Sequence, residues 1–267
     1  MLNTGCDHPD TILKRRASGY VFDPSGGYLN APYEDIFATA FSAGCLYSTA
    51  EDMALWDQAL YTESVLKKAT IQQAFTPAKL NDGSELGYGF GWSIVKYRGL
   101  TEISHGGDAT GFNTWIGRFP DQQFTVIVLS NLCMRPPAPL PSARTLARSI
   151  ADIYLGDVMG PAEAAAEVAL DPTFLARYVG RYKMAGRQEI LAVSGDIFTI
   201  TLENGRLYGQ ENTGKSDLVA ESETVFHPRA DSSTKIRFVT DEAGRVTGFV
   251  AKVMDVVEIR GTKVEGE

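Results

Sequence analysis

The stretch SHGGDATGF, residues 104–112, contains one of the three histidines of this chain. A histidine followed by Gly106 and Gly107 admits three chemistries. The first is half of an oxyanion hole, of the kind that works with a Gly-x-Ser-x-Gly nucleophile elbow. No such elbow occurs anywhere in the sequence, and the short links around the motif predict hairpins instead of strand–helix–strand crossovers. Both points weigh against this chemistry. The second is metal ligation. His8, His105 and His227 are far apart, without a His-Glu-x-x-His or a second histidine at helical spacing, so neither a metal nor another cofactor is expected. The third is a substrate-docking strand edge. Two glycines bare a length of backbone to which an extended ligand can hydrogen-bond, and a histidine at its head can offer a proton or a hydrogen bond to a carboxylate.

Positioning such a group requires strands, and the sequence supplies them. Alternating and apolar patterns predict strands over 88–97, 100–105, 112–119 and 124–131, joined by Arg98-Gly99 and by Pro120-Asp121-Gln122. Connections this short imply antiparallel neighbours. The last strand is apolar at nearly every position, which predicts cover on both faces. One cover is SARTLARSIADIYL, residues 142–155, read as an amphipathic helix with Leu146, Ile150 and Ile153 on its packed side. Upstream, STAEDMALWDQALY (48–61) predicts a helix with a Ser48–Glu51 capping box and Met53, Trp56 and Leu60 on one face. A second helix is expected over about 64–75, ending before Pro77. Residues 1–47 are turn-rich, with Asp23-Pro24-Ser25-Gly26-Gly27 between two short aromatic stretches.

Beyond residue 160 the texture changes. Short alternating runs dominate from 173 to 267, including EILAVSG, and Asn204-Gly205 and Asp241–Gly244 mark hairpins. The expected organisation is an α+β part over 1–160, a linker over 161–172 with weak helical tendency, and an all-β barrel-like part over 173–267.

The bulk numbers exclude some partners. A net charge of −8, with Lys14-Arg15-Arg16 the only basic cluster, argues against nucleic acid or an anionic membrane surface as a partner. No apolar run approaches bilayer length, so no transmembrane segment is expected. The first residues lack the layout of a signal peptide. Three widely spaced cysteines, Cys6, Cys45 and Cys133, suggest no disulfide framework. Cys45 and Cys133 read as small buried hydrophobes. Nothing in the sequence specifies an oligomeric state.

SHGGDATGFNTWIGRFPDQQFTVIVLSN resembles the third conserved region of serine β-lactamases and penicillin-binding proteins. The similar branch is the one holding class C β-lactamases, D-alanyl-D-alanine carboxypeptidases and related esterases. In that family a Lys-Thr-Gly or His-x-Gly lies on the strand beside the nucleophile, and His105-Gly106-Gly107 matches it. AGCLYSTAEDMALWDQAL (43–60) resembles the family's Gly-Leu-x-Ser-Thr-x-x-Asp segment and its helix, and YGFGWSI the strand before the motif. Residues 173–267, with YVGRYKM, are similar to a lipocalin-like domain that follows the catalytic domain in some members.

The resemblance implies an α+β fold, an antiparallel sheet with flanking helices (part of a β-lactamase-like transpeptidase fold), followed by a small all-β barrel-like domain. It implies cleavage of an amide or ester through an acyl-serine, with a small D-amino-acid peptide, β-lactam or ester as substrate. His105 would contact a substrate carboxylate or aid proton transfer. Gly106 and Gly107 would leave the strand edge bare, and the backbone N–H of Asp108 would be an oxyanion donor. Phe112 and Asn113 would line the cleft. A charged Asp108 departs from the small residues common at that point. The family's Ser-x-x-Lys and Tyr-x-Asn precede the segment that opens this chain, and MLNTG resembles an interior stretch. Met1 is thus expected to be an internal methionine of a longer, periplasmic or otherwise extracytoplasmic parent, and the chain to lack a nucleophile. Ser64–Lys67, Ser93–Lys96, Ser232–Lys235 and Tyr28–Asn30 match the missing patterns by spacing and are read as coincidences, Ser64–Lys67 being the one at a plausible helix start. The alternative functions are a non-catalytic pseudoenzyme and a ligand- or peptide-binding module built on the β domain.

Overall fold

The computed structural model describes residues 1–23, 27–133, 141–161, 167–185, 197–211, 214–229, 234–253 and 257–264. They fall into two compact units, one ending at Pro161 and the other comprising the described residues beyond it. The chain is mixed α+β, with mainly antiparallel sheets in the first unit and a closed barrel in the second.

In the first unit, the strand β1 (Gly5–Cys6) precedes the hairpin β2 (Tyr20–Asp23) and β3 (Gly27–Asn30). The tip of that hairpin, where a turn is expected, lies outside the described residues. A short helix α1 (Ile36–Thr39) leads to β4 (Leu46–Tyr47), which pairs with β1, Cys6 opposite Leu46. That pairing brings the Cα atoms of Cys6 and Cys45 to 4.9 Å, and the two form a disulfide. The expectation of no disulfide is thereby corrected. A separation of 39 residues hides a partnership that only the β1–β4 ladder creates. Cys133 is free and buried.

Helix α2 (Ala50–Ala59) is capped by Thr49, whose side chain accepts from the Asp52 N–H. Ser48, the expected cap, bonds instead with the Thr4 hydroxyl. Leu60 at the end of the helix is buried, and Met53 and Trp56 are half-buried. Helix α3 (Lys68–Ala74) begins four residues later than the expected 64, because Glu63 accepts the Lys68 N–H and holds 63–67 outside the helix.

The main sheet runs β5 (Ser93–Tyr97), β6 (Leu100–Ala109), β7 (Phe112–Phe119), β8 (Phe124–Ser130), in that order and antiparallel throughout. Arg98 and Gly99 both take positive φ, the requirement of the two-residue turn that matches strand twist. Strand β9 (Leu132–Cys133) pairs in parallel with β2. Residues directly opposite in register share a face, and the faces alternate. Trp115, Gly117 and Phe119 therefore face one way, and His105, Ile116 and Arg118 the other.

Helix α4 (Ala143–Leu155) covers the Trp115 face, packing on Trp115, Phe119 and Val126. Its buried stripe is Ala143, Ala147, Ala151 and Leu155, while Leu146, Ile150 and Ile153 are exposed. This reverses the orientation expected from side-chain size. The sheet contributes the bulky rings, so the helix can approach only on its alanines. On the opposite face, α2 and the segments beside α3 surround Arg118. Its Nε donates to Asp57 of α2 at 2.5 Å, and its guanidinium stacks over Tyr61, Phe75 and Trp92. Strand β8 is thus covered on both faces over Thr125–Val128, as its apolar run predicts, but Leu129 is exposed.

The second unit opens with Val168 donating to Ala220 O and Leu170 packed on the core, so 167–170 is docked backbone without helix. After α5 (Pro172–Leu175) come β10 (Gly180–Ala185), β11 (Ile197–Glu203), β12 (Arg206–Glu211), β13 (Gly214–Ala220), β14 (Val225–Pro228), β15 (Lys235–Thr240), β16 (Val246–Val253) and β17 (Val257–Val264). Each pairs antiparallel with the next, and β17 closes on β10. Asn204 and Gly205 both have positive φ at the tight turn they predict. The expected strand EILAVSG lies outside the described residues. Side chains fill the interior: Tyr178, Tyr182, Ile200, Leu207, Phe226, Phe238 and Phe249 form one core. The Tyr182 hydroxyl is satisfied by Tyr178 O at 2.6 Å, as a buried phenol requires. No helix among the described residues is long and apolar enough to cross a membrane.

Candidate functional site

Strand β6 is longer than the expected 100–105 and carries the whole motif. Its pairing with β5 stops at Ser104, opposite Ser93, whereas its pairing with β7 continues to Ala109. Residues 105–109 therefore overhang β5. Among the described residues the strand is interior over its first half and bordered by a strand on one side only over its second, so the open edge begins at His105.

His105 is exposed and held at both ring nitrogens. Nδ1 lies 2.6 Å from Gly106 O, and Nε2 lies 2.8 Å from the Tyr88 hydroxyl. Tyr88 was not foreseen as a site residue. The strand expected over 88–97 begins only at Ser93, because Gly87 and Gly91 take positive φ and break the chain's extension around Tyr88. Gly89 presses on the end of α3, where a Cβ would lie 2.1 Å from Ala74 O. Tyr88 O accepts from Ala78 N, and Gly89 N donates to Trp92 O. The backbone on both sides of Tyr88 is thus fixed, which seats its phenol against His105. Three alternating glycines were the available signal, since such spacing suits a wedged loop better than a strand. Burial raises the Tyr88 pKa above its usual 10, so the hydroxyl keeps its proton at neutral pH.

The two motif glycines answer to different neighbours. A Cβ on Gly106 would lie 2.8 Å from the Trp115 ring, and one on Gly107 would lie 2.7 Å from the Thr114 hydroxyl. Asp108 is exposed, and its carboxylate accepts from the Asn113 amide at 2.8 Å. Asn113 itself is buried on the Trp115 face, and its Oδ1 accepts the Ala143 N–H at 2.6 Å. It ties the hairpin to the start of α4, on the face away from His105, so the sheet does not bring Asn113 and His105 together. Phe112 is on the His105 face, with its ring packed on Gly19. The hairpin tip is clamped: Thr110 donates to Glu34, Tyr20 N donates to Gly111 O, and Gly111 is pressed against Ala31 and Gly19.

The spacing matches elsewhere are spread apart. Ser64 precedes α3 and bonds the Thr62 hydroxyl, so Ser64–Lys67 is not on a helical turn. Ser93 is buried on the Trp115 face, and Lys96 points the other way to Thr101. Tyr28 and Asn30 are exposed on β3, Tyr28 against Phe22. Ser232 lies outside the described residues, and Lys235 pairs with Glu221. His8 packs on Phe37, and buried His227 is bonded to Pro228 O.

Comparison with known proteins adds the following. A model of the Beta-lactamase family matches residues 1–152. Penicillin-binding protein 4* of Bacillus subtilis (strain 168) is 32% identical over 205 residues, which is 74% of this chain and 42% of that protein. The chain thus spans less than half the length of this curated relative. Among solved structures, the octameric penicillin-binding protein homologue from Pyrococcus abyssi is 18% identical, covers 91% of this chain and 53% of its own, and has a TM-score of 0.47. A penicillin binding protein from Bacillus halodurans is 22% identical, over 56% of this chain and 44% of its own, with a TM-score of 0.43.

Proposed function

The chain belongs to the Beta-lactamase family, whose model covers 152 of its 267 residues, and from that premise we propose that residues 105–109 form the third wall of an acyl-serine site. The proposed chemistry of such a site is hydrolysis of an amide or ester in a small D-amino-acid peptide, a β-lactam or a small ester. The observation that carries this reading is the overhang of β6. A bare backbone edge begins at an exposed histidine, and an extended substrate can add to it as a strand. His105 would meet the substrate carboxylate or assist proton transfer. The Asp108 N–H would donate to the developing oxyanion, the other donor belonging to the nucleophile. Phe112 would border the cleft.

This chain alone is proposed to be inactive, because among the described residues neither Ser64–Lys67 nor Ser93–Lys96 forms a helical turn beside His105. The Cys6–Cys45 bond supports an oxidising compartment. A binding role for the barrel interior gains no support from a core filled by its own aromatic side chains.

A fluorescent penicillin and a fluorophosphonate, each incubated with the purified chain, test the inactivity. No covalent adduct is expected by intact-mass measurement. A stoichiometric adduct on Ser64 would overturn it.

A further inference from the structure

The hydrogen-bond partners of His105 fix where its proton sits. Gly106 O is a carbonyl and only accepts, so Nδ1 carries the hydrogen and donates across 2.6 Å. In the neutral ring Nε2 then holds the lone pair, and the Tyr88 hydroxyl at 2.8 Å donates into it. The reverse tautomer would set an Nδ1 lone pair against a carbonyl lone pair at 2.6 Å. Neither partner is free to turn away. Gly106 O belongs to the ladder strand, and the Tyr88 backbone is pinned by Ala78 and by the Gly89–Trp92 bond. The two rings are tilted, 6.0 Å apart at their centroids, so hydrogen bonding and not stacking sets their relation.

We infer that Tyr88 is a positioning residue for His105, holding the imidazole as the Nδ1–H tautomer with its Nε2 lone pair occupied by the phenol. The inference rests on the reading of 105–109 as a substrate edge and adds a member to that site. It has a chemical consequence. In this state His105 has no N–H to spare for a ligand. An anionic group arriving at the edge competes with Nε2 for the phenol hydrogen, so Tyr88 supplies the first hydrogen bond to a carboxylate. Such interplay between a ring nitrogen and its orienting partner is the usual way a histidine's working nitrogen is chosen.

Long-range proton–nitrogen spectra of the full chain, labelled with nitrogen-15 and recorded at mildly alkaline pH, read the tautomer directly. His105 is expected as a single tautomer protonated at Nδ1. Tyr88→Phe is expected to move its Nε2 resonance toward the value of a free lone pair, with the His8 and His227 signals unmoved. A His105 proton on Nε2, a mixture of tautomers, or an Nε2 resonance indifferent to Tyr88→Phe would overturn the inference. If the variant does not fold, the wild-type Nε2 resonance decides the matter: a shift away from the free lone-pair value upholds the phenol bond, and a free lone-pair value overturns it. D-alanyl-D-alanine then separates the two ideas. A perturbed Nε2 resonance supports both, whereas a silent titration with the Nδ1–H tautomer in place upholds the Tyr88–His105 pair and sinks the substrate edge.

Discussion

Gly106 and Gly107 look equivalent in the motif but are unequal in their surroundings. The Gly106 position faces the rigid indole of Trp115, and Gly107 faces only the hydroxyl end of Thr114. Adding a methyl group at Gly106 must displace a buried ring, and overpacking of that kind costs about 1–3 kcal/mol. Gly107→Ala needs only a rotation of Thr114 and should stay within about 0.5 kcal/mol, as surface changes usually do. Urea denaturation of the two variants checks the order, which an equal loss would refute. The motif itself was legible in the sequence, because a histidine before two glycines is rare enough to notice. Its support was not. Tyr88 is seventeen residues upstream, and its role depends on Gly89 lying against Ala74, a contact between segments that no local pattern encodes.

At the scale of elements, Arg118 is a buried electrostatic commitment of the first unit. Its side chain is 1% exposed and its Asp57 partner 14%, and Asp57 also accepts from Thr125. Arg118→Leu would leave that carboxylate facing a ring cage without its cation, at a cost of about 3–5 kcal/mol. The double change Arg118→Leu with Asp57→Leu should recover much of the loss, because it removes the stranded charge. A double-mutant cycle in urea measures the coupling, and simple additivity would contradict it. On the other face, Tyr97 donates to both Asp152 oxygens at 3.0 Å. Burial, then the Asp152 charge, pushes its pKa from 10.0 up to about 12. The folded state thus holds this proton more tightly than the unfolded one, so the contribution is whole below pH 10 and lost as pH rises through about 12. Melting temperatures across that window should fall less steeply in Tyr97→Phe than in the wild type. The strands were readable from alternation and short links. Helix α4 was located correctly but turned the wrong way, since period alone cannot tell a stripe of alanines under large rings from a stripe of leucine and isoleucine. The helix needs its neighbour's side-chain volumes, and these lie on strands β7 and β8.

For the molecule as a whole, the Cys6–Cys45 bond ties the first residues to the segment before α2. Closing a loop with a separation of 39 residues stabilises a fold by up to about 4 kcal/mol on the chain-entropy account. Calorimetry with and without dithiothreitol should show a lowered transition for the first unit and an unchanged one for the barrel. A reductant-insensitive first transition would argue that the bond contributes little. Two-part organisation was visible in composition, because turn-punctuated alternation replaces helix patterns after residue 160. The disulfide was not visible, because its ladder is only two residues long on each strand. The indole beneath Gly106 has a consequence for lineages as well as for stability. Selection for a well-packed sheet is enough to preserve that glycine, whether or not a serine attacks anything nearby. A descendant that has lost its nucleophile keeps this one glycine while its neighbour is free to drift, so counting that glycine in genomes counts sheets that fold and not enzymes that turn over.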